Sequence, residues 1–433
     1  MRVAFYTLGC KLNQAETESL ANRFSEAGFQ LVSPGDGADI YIVNTCTVTH
    51  IADRKSRHWL RLARRRNPRA LIIATGCYAQ RNRQELAPLV DIVVDNEEKE
   101  HLLALTQTLS LEGRGLDDGK TKQSQRLAAT VRTRSLIKIQ DGCHSSCTYC
   151  IVPKVRPHEY SLPAPRIIDE VKQKVALGYK EVVLTGTKVG SYRDAVLSAS
   201  EGSSIDLKDL VQHILRSTGI ERLRLSSLQP SEISSELLAL WQDERLCRHF
   251  HLALQSGSET VLQRMRRSYS LDQYQRTVNL IKDIIPEVAI TTDIMVGFPG
   301  ESDEEFEQSY SFCQQAGFAN IHVFPFSPRP ETAAAKMPEQ TKDKVKKERN
   351  QRMLELSRSS RRSFCEQFLG QTMPVLWEKE TSPGSGTYSG LTDNYIRVFA
   401  HSEKPLDNEI TPVKLVKFHN QGIWGELVDE NPG

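Results

Sequence analysis

No stretch of this 433-residue chain is an apolar run of about 18 residues, the length a helix needs to cross a bilayer, so no membrane-spanning helix is expected. Net charge is also small. The 56 basic and 54 acidic side chains nearly cancel, so a polyanionic partner has to be gripped by local patches and not by bulk charge. Cysteine is sparse, nine in the whole length, which is not the density of a secreted disulfide scaffold. The opening Met-Arg-Val-Ala-Phe-Tyr has the pattern of a short strand and lacks the apolar stretch of a signal peptide. These absences predict a soluble protein of a reducing cytoplasm, with roughly two or three domains and ample core.

The few cysteines are grouped. Asp141-Gly-Cys143-His-Ser-Ser-Cys147-Thr-Tyr-Cys150-Ile-Val-Pro153 sets three of them at the spacing C-x3-C-x2-C, directly after a predicted strand ending at Gln140. Three thiolates in one short loop call for a metal. A structural zinc site closes four ligands, which here would recruit His144 or His158. A [4Fe–4S] cube on three thiolates keeps one iron open to a substrate or cofactor. The spacing favours the cube, since C-x3-C-x2-C is the signature of radical S-adenosylmethionine (radical SAM) enzymes, which the chain resembles at this loop.

Residues 1 to about 95 alternate strand and helix patterns. Apolar runs at Val3 to Thr7, Ile40 to Asn44, Leu71 to Thr75 and Ile92 to Val94 flank helical stretches such as Gln14 to Ala27, which predicts a parallel α/β sheet. Cys10, Cys46 and Cys77 each follow directly on one of the first three strands. Ligands of open α/β sheets bind at the strands' carboxyl ends, so these three cysteines are expected to converge as a second cluster site. The alternative is three small buried residues at strand ends. Between the strands, Arg54 to Arg69 holds eight Lys or Arg in 16 positions and no acid, which suits either a solvated helix face or an RNA phosphate footprint.

Polar, turn-rich residues from about 96 to 133 read as a linker. Six further strands are then expected, at Leu136–Gln140, Glu181–Leu184, Leu223–Ser226, His249–Leu254, Ala289–Val296 and Asn320–Pro325, each with a helical pattern behind it. Six βα units imply an incomplete barrel with its chemistry in the loops at the carboxyl rim. Those loops are Leu184-Thr-Gly186-Thr-Lys188, Ser226-Ser-Leu-Gln-Pro230, Gln255-Ser-Gly257-Ser and Gly297-Phe-Pro-Gly300-Glu301. Glycines there let a ligand approach the backbone, which makes Gly186, Ser226, Gln255, Gly297, Pro299 and Gly300 candidate S-adenosylmethionine contacts. Residues 342 to 362 form a basic helical pattern. The last 60 or so residues break into short strand-like runs, including Pro374–Trp377, Ile396–Ala400 and Val413–Val416, which fit a small antiparallel β-barrel that grips RNA. Trp377, Tyr388 and Tyr395 are its candidate base-stacking or core aromatics. Cys247, Cys313 and Cys365 lie in helical patterns and read as core.

Thr7-Leu-Gly-Cys-Lys-Leu-Asn-Gln14, Asn44-Thr-Cys-Thr-Val-Thr49, Gly76-Cys-Tyr-Ala-Gln80, the three-cysteine loop, Leu225 to Pro230, His251 to Ser258, Asp293 to Glu301 and His322 to Pro330 together resemble the radical SAM methylthiotransferases. Within them, the forms Gly-Cys-Lys-x-Asn-Gln and Phe-Pro-x-Ser-Pro-Arg-Pro look most like the branch acting on N6-threonylcarbamoyladenosine in tRNA. The resemblance implies an α/β architecture in three parts. These are an N-terminal parallel α/β sheet domain with an auxiliary cluster (1–115), an incomplete (β/α)6 radical SAM barrel (130–367) and a C-terminal antiparallel β-barrel of TRAM type (370–433). It implies two [4Fe–4S] clusters, one on Cys143, Cys147 and Cys150 and one on Cys10, Cys46 and Cys77. The first, with S-adenosylmethionine, would yield a 5′-deoxyadenosyl radical that takes hydrogen from C2 of the adenine, and the second would carry the sulfur. Implied partners are the tRNA anticodon arm and an electron donor such as a flavodoxin or ferredoxin. Asn13, Asn44 and Arg329 are candidate substrate contacts.

Three positions depart from the family pattern: Arg156-Pro157, Gln229-Pro230 and Glu331 in Arg329-Pro-Glu-Thr332. None is a cluster ligand, so they bear on positioning, and Arg156-Pro157 is where the family geometry is first expected to differ. Competing substrates for the same chemistry are N6-isopentenyladenosine in tRNA and a ribosomal-protein aspartate. A non-catalytic Fe–S electron carrier or RNA-binding sensor is a different class, and it predicts fully thiolate-capped clusters.

Overall fold

The computed structural model describes residues 1–111, 133–194 and 204–428. They form two compact units. The first holds residues 1–131 together with Asp141–Glu159 and Ser327–Thr332, and the second holds the remaining segments.

In the first unit, five parallel strands lie in the order Gln30–Leu31, Arg2–Thr7, Ile40–Thr45, Leu71–Gly76 and Ile92–Val93. Helices cover both faces, which is why these strands read as unbroken apolar runs. Alternate residues serve opposite layers: Ala4, Tyr41, Val43 and Ile72 pack on one side, and Val3, Ile40, Ile42 and Ile73 on the other. The edge strand Gln30–Leu31, two residues long, left no sequence signal. The expected linker starts later than predicted. A helical turn at Glu97–His101 runs into the helix Leu102–Leu111, because Leu102 is fully buried against the sheet core. The rest of that predicted linker, 112–132, lies outside the described residues.

In the second unit, six parallel strands follow one another as expected: Arg134–Lys138, Glu181–Thr185, Arg222–Leu225, His249–Leu252, Ala289–Val296 and Asn320–Pro325. With the two-residue strand Ser227–Leu228 they form a three-stranded and a four-stranded sheet, and Leu223 of the first makes a further parallel bridge to Leu246. The long helix Asp343–Glu366 packs against the last strand. Many of its cations are structural. Arg349 pairs with Glu301, Arg352 with Glu307, and Arg361 donates to the Asn320 side chain.

The C-terminal strands Thr372–Glu380, Thr387–Thr392, Arg397–His401, Ile410–His419 and Gly422–Leu427 close into a five-stranded barrel. One of its pairings, Arg397–His401 with Gly422–Leu427, is parallel; the others are antiparallel. Closure removes the sheet edges. Of the three aromatics offered as base-stackers, Trp377 and Tyr388 pack in the barrel core, and the half-buried Tyr395 packs against the parallel sheet. Trp377 is fully buried with its indole N–H on Thr411, Tyr388 joins the same core, and Tyr395 stacks on His249 at 4.4 Å with Arg224 over its ring. Arg222 and Arg224 donate to the backbone oxygens of Leu391 and Asp393, which fastens the barrel to the parallel sheet. Cys313 and Cys365 are buried in helices as expected, whereas Cys247 is buried in a connection, not a helix, just before its strand. Among the described residues, no helix is long and apolar enough to cross a membrane.

Candidate functional site

The register of the first unit puts Thr7, Asn44 and Thr75 side by side, so the turns that follow them open at one edge of the sheet. Cys10 stands at the start of the helix Lys11–Glu26, Cys77 opens the helix Cys77–Arg81, and Cys46 follows its strand directly. Two glycines make room for them. At Gly9 (φ +98°) a Cβ would stand 2.8 Å from the Cys46 sulfur, and at Gly76 (φ +95°) one would overlap the Asn44 side-chain oxygen at 2.4 Å. A side chain at Gly9 would crowd the Cys46 sulfur, and one at Gly76 would strike the Asn44 amide and the Thr45 backbone that hold the strand ends. Burial pushes the Cys46 thiol up to about 12, and the Cys77 and Cys10 sulfurs add to the push. Burial thus disfavours the Cys46 thiolate unless a metal supplies the positive charge beside it. The donor set fits an iron–sulfur cluster with one iron left over.

The second triad belongs to the same unit. Cys143, Cys147 and Cys150 are each half-buried on the loop Asp141–Glu159, with the Cys150 N–H on the Cys147 carbonyl at 3.1 Å. Gly142 (φ +75°) lets the loop cross the His158 carbonyl, which a Cβ would strike at 1.9 Å. His144 and His158, the zinc alternatives, pair with other groups: His144 with the Pro157 carbonyl and Glu159, His158 with Glu97. Among the described residues, no three His, Cys, Asp or Glu side chains close around a single ion. A cube is larger than an ion and spreads its thiolates wider.

Arg156 is what the sequence reading missed. Seen there only as a departure from a pattern, it is 5% exposed and pairs with Glu16 and Asp141, each at 2.8 Å or less, while donating to the Asn13 oxygen at 2.9 Å. Burial opposes its charge, but Glu16 and Asp141 among its neighbours together favour it and hold the guanidinium protonated. Lys99 reaches the other side of Glu16 at 2.5 Å. Two cations against two carboxylates leave the buried group neutral. Asn13 and Asn44 join it. Asn13 donates to the Leu8 and Thr45 carbonyls, and Asn44 donates to the Asn13 carbonyl and the Thr17 hydroxyl. Both amides are 1% exposed and tie together the strand ends that carry the cysteines.

Arg329, the third expected substrate contact, is also in this unit. Its Nη2 donates to Asp53, while Nε and Nη1 are buried without a partner. In the basic helix, which spans His50–Arg66, Arg57 pairs with Glu85 and Arg64 with Asp91. Arg54, Lys55, Arg61 and Arg65 are exposed.

The rim of the second unit carries the expected cofactor contacts. Ser226 Oγ and Gln255 Oε1 are buried without a hydrogen-bond partner among the described residues, and Gln255 is held at φ +71°. A non-glycine residue in that region is worth a functional explanation. A ligand with N–H and O–H groups would satisfy both oxygens. Gly186 lies against the Gln140 carbonyl, where a Cβ would stand 2.8 Å away. Gly297 and Gly300 are both at φ +71° around the buried Pro299, and Glu301 fixes their loop by accepting from the Gly297 N–H at 2.6 Å and from Arg349 at 2.7 Å. His251 and Asp293, absent from the expected site, pair at 3.2 Å on neighbouring strands.

Glu305, in the first turn of the helix Asp303–Ala316 that follows, yields a pH prediction. Burial raises the Glu305 carboxyl, but hydrogen bonds from Arg264 and Thr260 outweigh it and leave it at about 2. A depressed acid stabilises the fold above its ordinary value of 4.5, and that stabilisation drains away as pH falls from there through about 2. Glu305→Gln should therefore flatten the acid-side decline of the urea midpoint in that window. An unchanged slope would remove the assignment.

Two family descriptions match the chain: Radical SAM superfamily over residues 137–313, and Uncharacterized protein family UPF0004 over residues 2–95. A threonylcarbamoyladenosine tRNA methylthiotransferase of Bacillus subtilis is 36% identical over 99% of this chain and 97% of its own. One from Aquifex aeolicus is 38% identical over 92% and 96%. A tRNA-2-methylthio-N(6)-dimethylallyladenosine synthase of Syntrophotalea carbinolica is 32% identical over 98% and 100%. Among solved structures, a radical S-adenosylmethionine methyltransferase of Kitasatospora setae superposes with a TM-score of 0.55 at 14% identity, over 77% of this chain and 74% of that one. At that identity the likeness concerns the fold alone.

Proposed function

The chain belongs to the radical SAM tRNA methylthiotransferases, and from that premise we propose that it converts N6-threonylcarbamoyladenosine beside the tRNA anticodon to its 2-methylthio derivative. The family implies S-adenosylmethionine and a [4Fe–4S] cluster, which when bound supply a radical able to take hydrogen from the inert C2–H of the adenine. Cys143, Cys147 and Cys150 would hold that cluster. Ser226 and Gln255 would accept or donate hydrogen bonds to the cofactor, and the backbone at Gly186, Gly297, Pro299 and Gly300 would lie along it.

Cys10, Cys46 and Cys77 would hold a second cluster, from which the sulfur is delivered. The convergence of these three cysteines at one sheet edge, with Gly9 leaving room beside the Cys46 sulfur, is the observation that carries this reading. The exposed cations of the helix His50–Arg66 and the C-terminal barrel would hold the anticodon arm, whose target purine has to leave its stack. An electron donor of flavodoxin or ferredoxin type would reduce the enzyme. Of the relatives compared, those named for threonylcarbamoyladenosine share more residues with this chain than the one named for the dimethylallyl nucleoside.

The test is the nucleoside content of tRNA from a strain lacking the gene. Mass spectrometry should show 2-methylthio-threonylcarbamoyladenosine gone and its unthiolated parent accumulated. Loss of the isopentenyl counterpart would move the enzyme to the other branch, and an unchanged nucleoside profile with an unmodified ribosomal aspartate would remove tRNA as substrate.

A further inference from the structure

A cleft of about 470 Å³ opens at the first turns of the helix His50–Arg66, beside the auxiliary triad. Its neighbourhood is fixed by that helix. Asp53 lines the cleft, and three residues on, Ser56 receives the Cys46 N–H and donates to the Cys46 carbonyl. Four guanidiniums, from Arg54, Arg57, Arg81 and Arg329, face two carboxylates, Asp53 and Glu85, so the lining carries two positive charges in excess. Asp53 is taken by Arg81 and Arg329, and Glu85 by Arg57. Glu331, which is not in the lining, also pairs with Arg81 and meets one of the two charges, and the other sits on Arg54, which is exposed; Arg329 is 1% exposed, with Nε and Nη1 buried and without a partner among the described residues.

A buried guanidinium with unmet N–H groups is unfavourable until an anion meets them. We propose that this cleft receives the carboxylate of the substrate's N6-threonylcarbamoyl group and so selects that nucleoside over an alkylated one. This rests on the threonylcarbamoyladenosine reading above. A backbone phosphodiester is chained on both sides and suits exposed cations, whereas a carboxylate at the tip of a side chain can reach a sunken one. An alkyl substituent would leave Nε and Nη1 of Arg329 unmet, and a site built for a polar partner rejects the ligand lacking it more strongly than an apolar site rejects a polar one.

The test uses the full chain with its clusters reconstituted and three anticodon stem-loop RNAs in a fluorescence anisotropy titration. They carry threonylcarbamoyladenosine, its carboxylate methyl ester, and dimethylallyladenosine. The wild type should bind the free acid roughly ten- to a hundredfold tighter than the ester, the range expected of charge-assisted hydrogen bonds. Arg329→Gln should bring acid and ester to equal affinity, and Arg54→Gln should narrow the gap. Equal affinity of the wild type for acid and ester overturns the proposal and, if both still outbind the dimethylallyl RNA, leaves the substrate reading standing. Tightest binding of the dimethylallyl RNA overturns both. The wild-type comparison decides the matter even if Arg329→Gln does not fold.

Discussion

Cys147→Ala should release no 5′-deoxyadenosine from S-adenosylmethionine under reducing conditions, whereas Cys46→Ala should release it near the wild-type rate and transfer no methylthio group. The two triads occupy different segments, one on the loop Asp141–Glu159 and one at the ends of three strands, so either can lose a ligand without dismantling the other. A cluster on three thiolates has no spare ligand, and removing one empties the site. Reconstituted iron should fall from about eight per chain to about four in each variant by the same argument. Wild-type release from Cys147→Ala would end the assignment of the first triad. A wild type that takes up only about four irons would end that of the second.

The largest expected effect on stability is at Arg156. Arg156→Leu should destabilise the protein by about 3–5 kcal/mol, the range for removing one partner of a buried ion pair. The loss comes from what is left behind. Asp141 and Glu16 each lose the buried guanidinium that pairs with them, Glu16 keeping its contact with Lys99, and the Asn13 oxygen loses its donor. Arg156→Lys should recover only part, because a single ammonium cannot serve three acceptors that the planar guanidinium meets together. Urea unfolding of the cluster-free proteins measures both. A loss below about 1 kcal/mol, the level of an exposed pair, would show that the network carries no load.

How far the sequence could be read follows from the range of each signal. The parallel strands were legible because a strand covered on both faces is one apolar run, and Ala289–Val296 was placed to the residue. Cysteines at the ends of such strands were legible for the same reason. Arg156 was not, since its partner Asp141 lies 15 residues away and Glu16 lies 140 away. The setting of Arg329 was not legible either, since its partner Asp53 is 276 residues distant. Trp377 was ambiguous because an aromatic on an alternating strand looks alike whether it faces a barrel interior or solvent. The helix Leu102–Leu111 was hidden by the turn-rich residues after it.

Seen as inheritable parts, the protein is cut in one place by its sequence and in another by its fold. The family matches divide it near residue 100, yet Arg156 and the loop that carries it are packed with the first segment. An N-terminal piece expressed alone would keep Glu16 but lose the Arg156 guanidinium that pairs with it. An exchange of this region between relatives should therefore succeed when Asp141–Glu159 travels with it and fail when the graft ends at the sequence boundary. The unit of exchange would then be defined by a guanidinium and not by a linker.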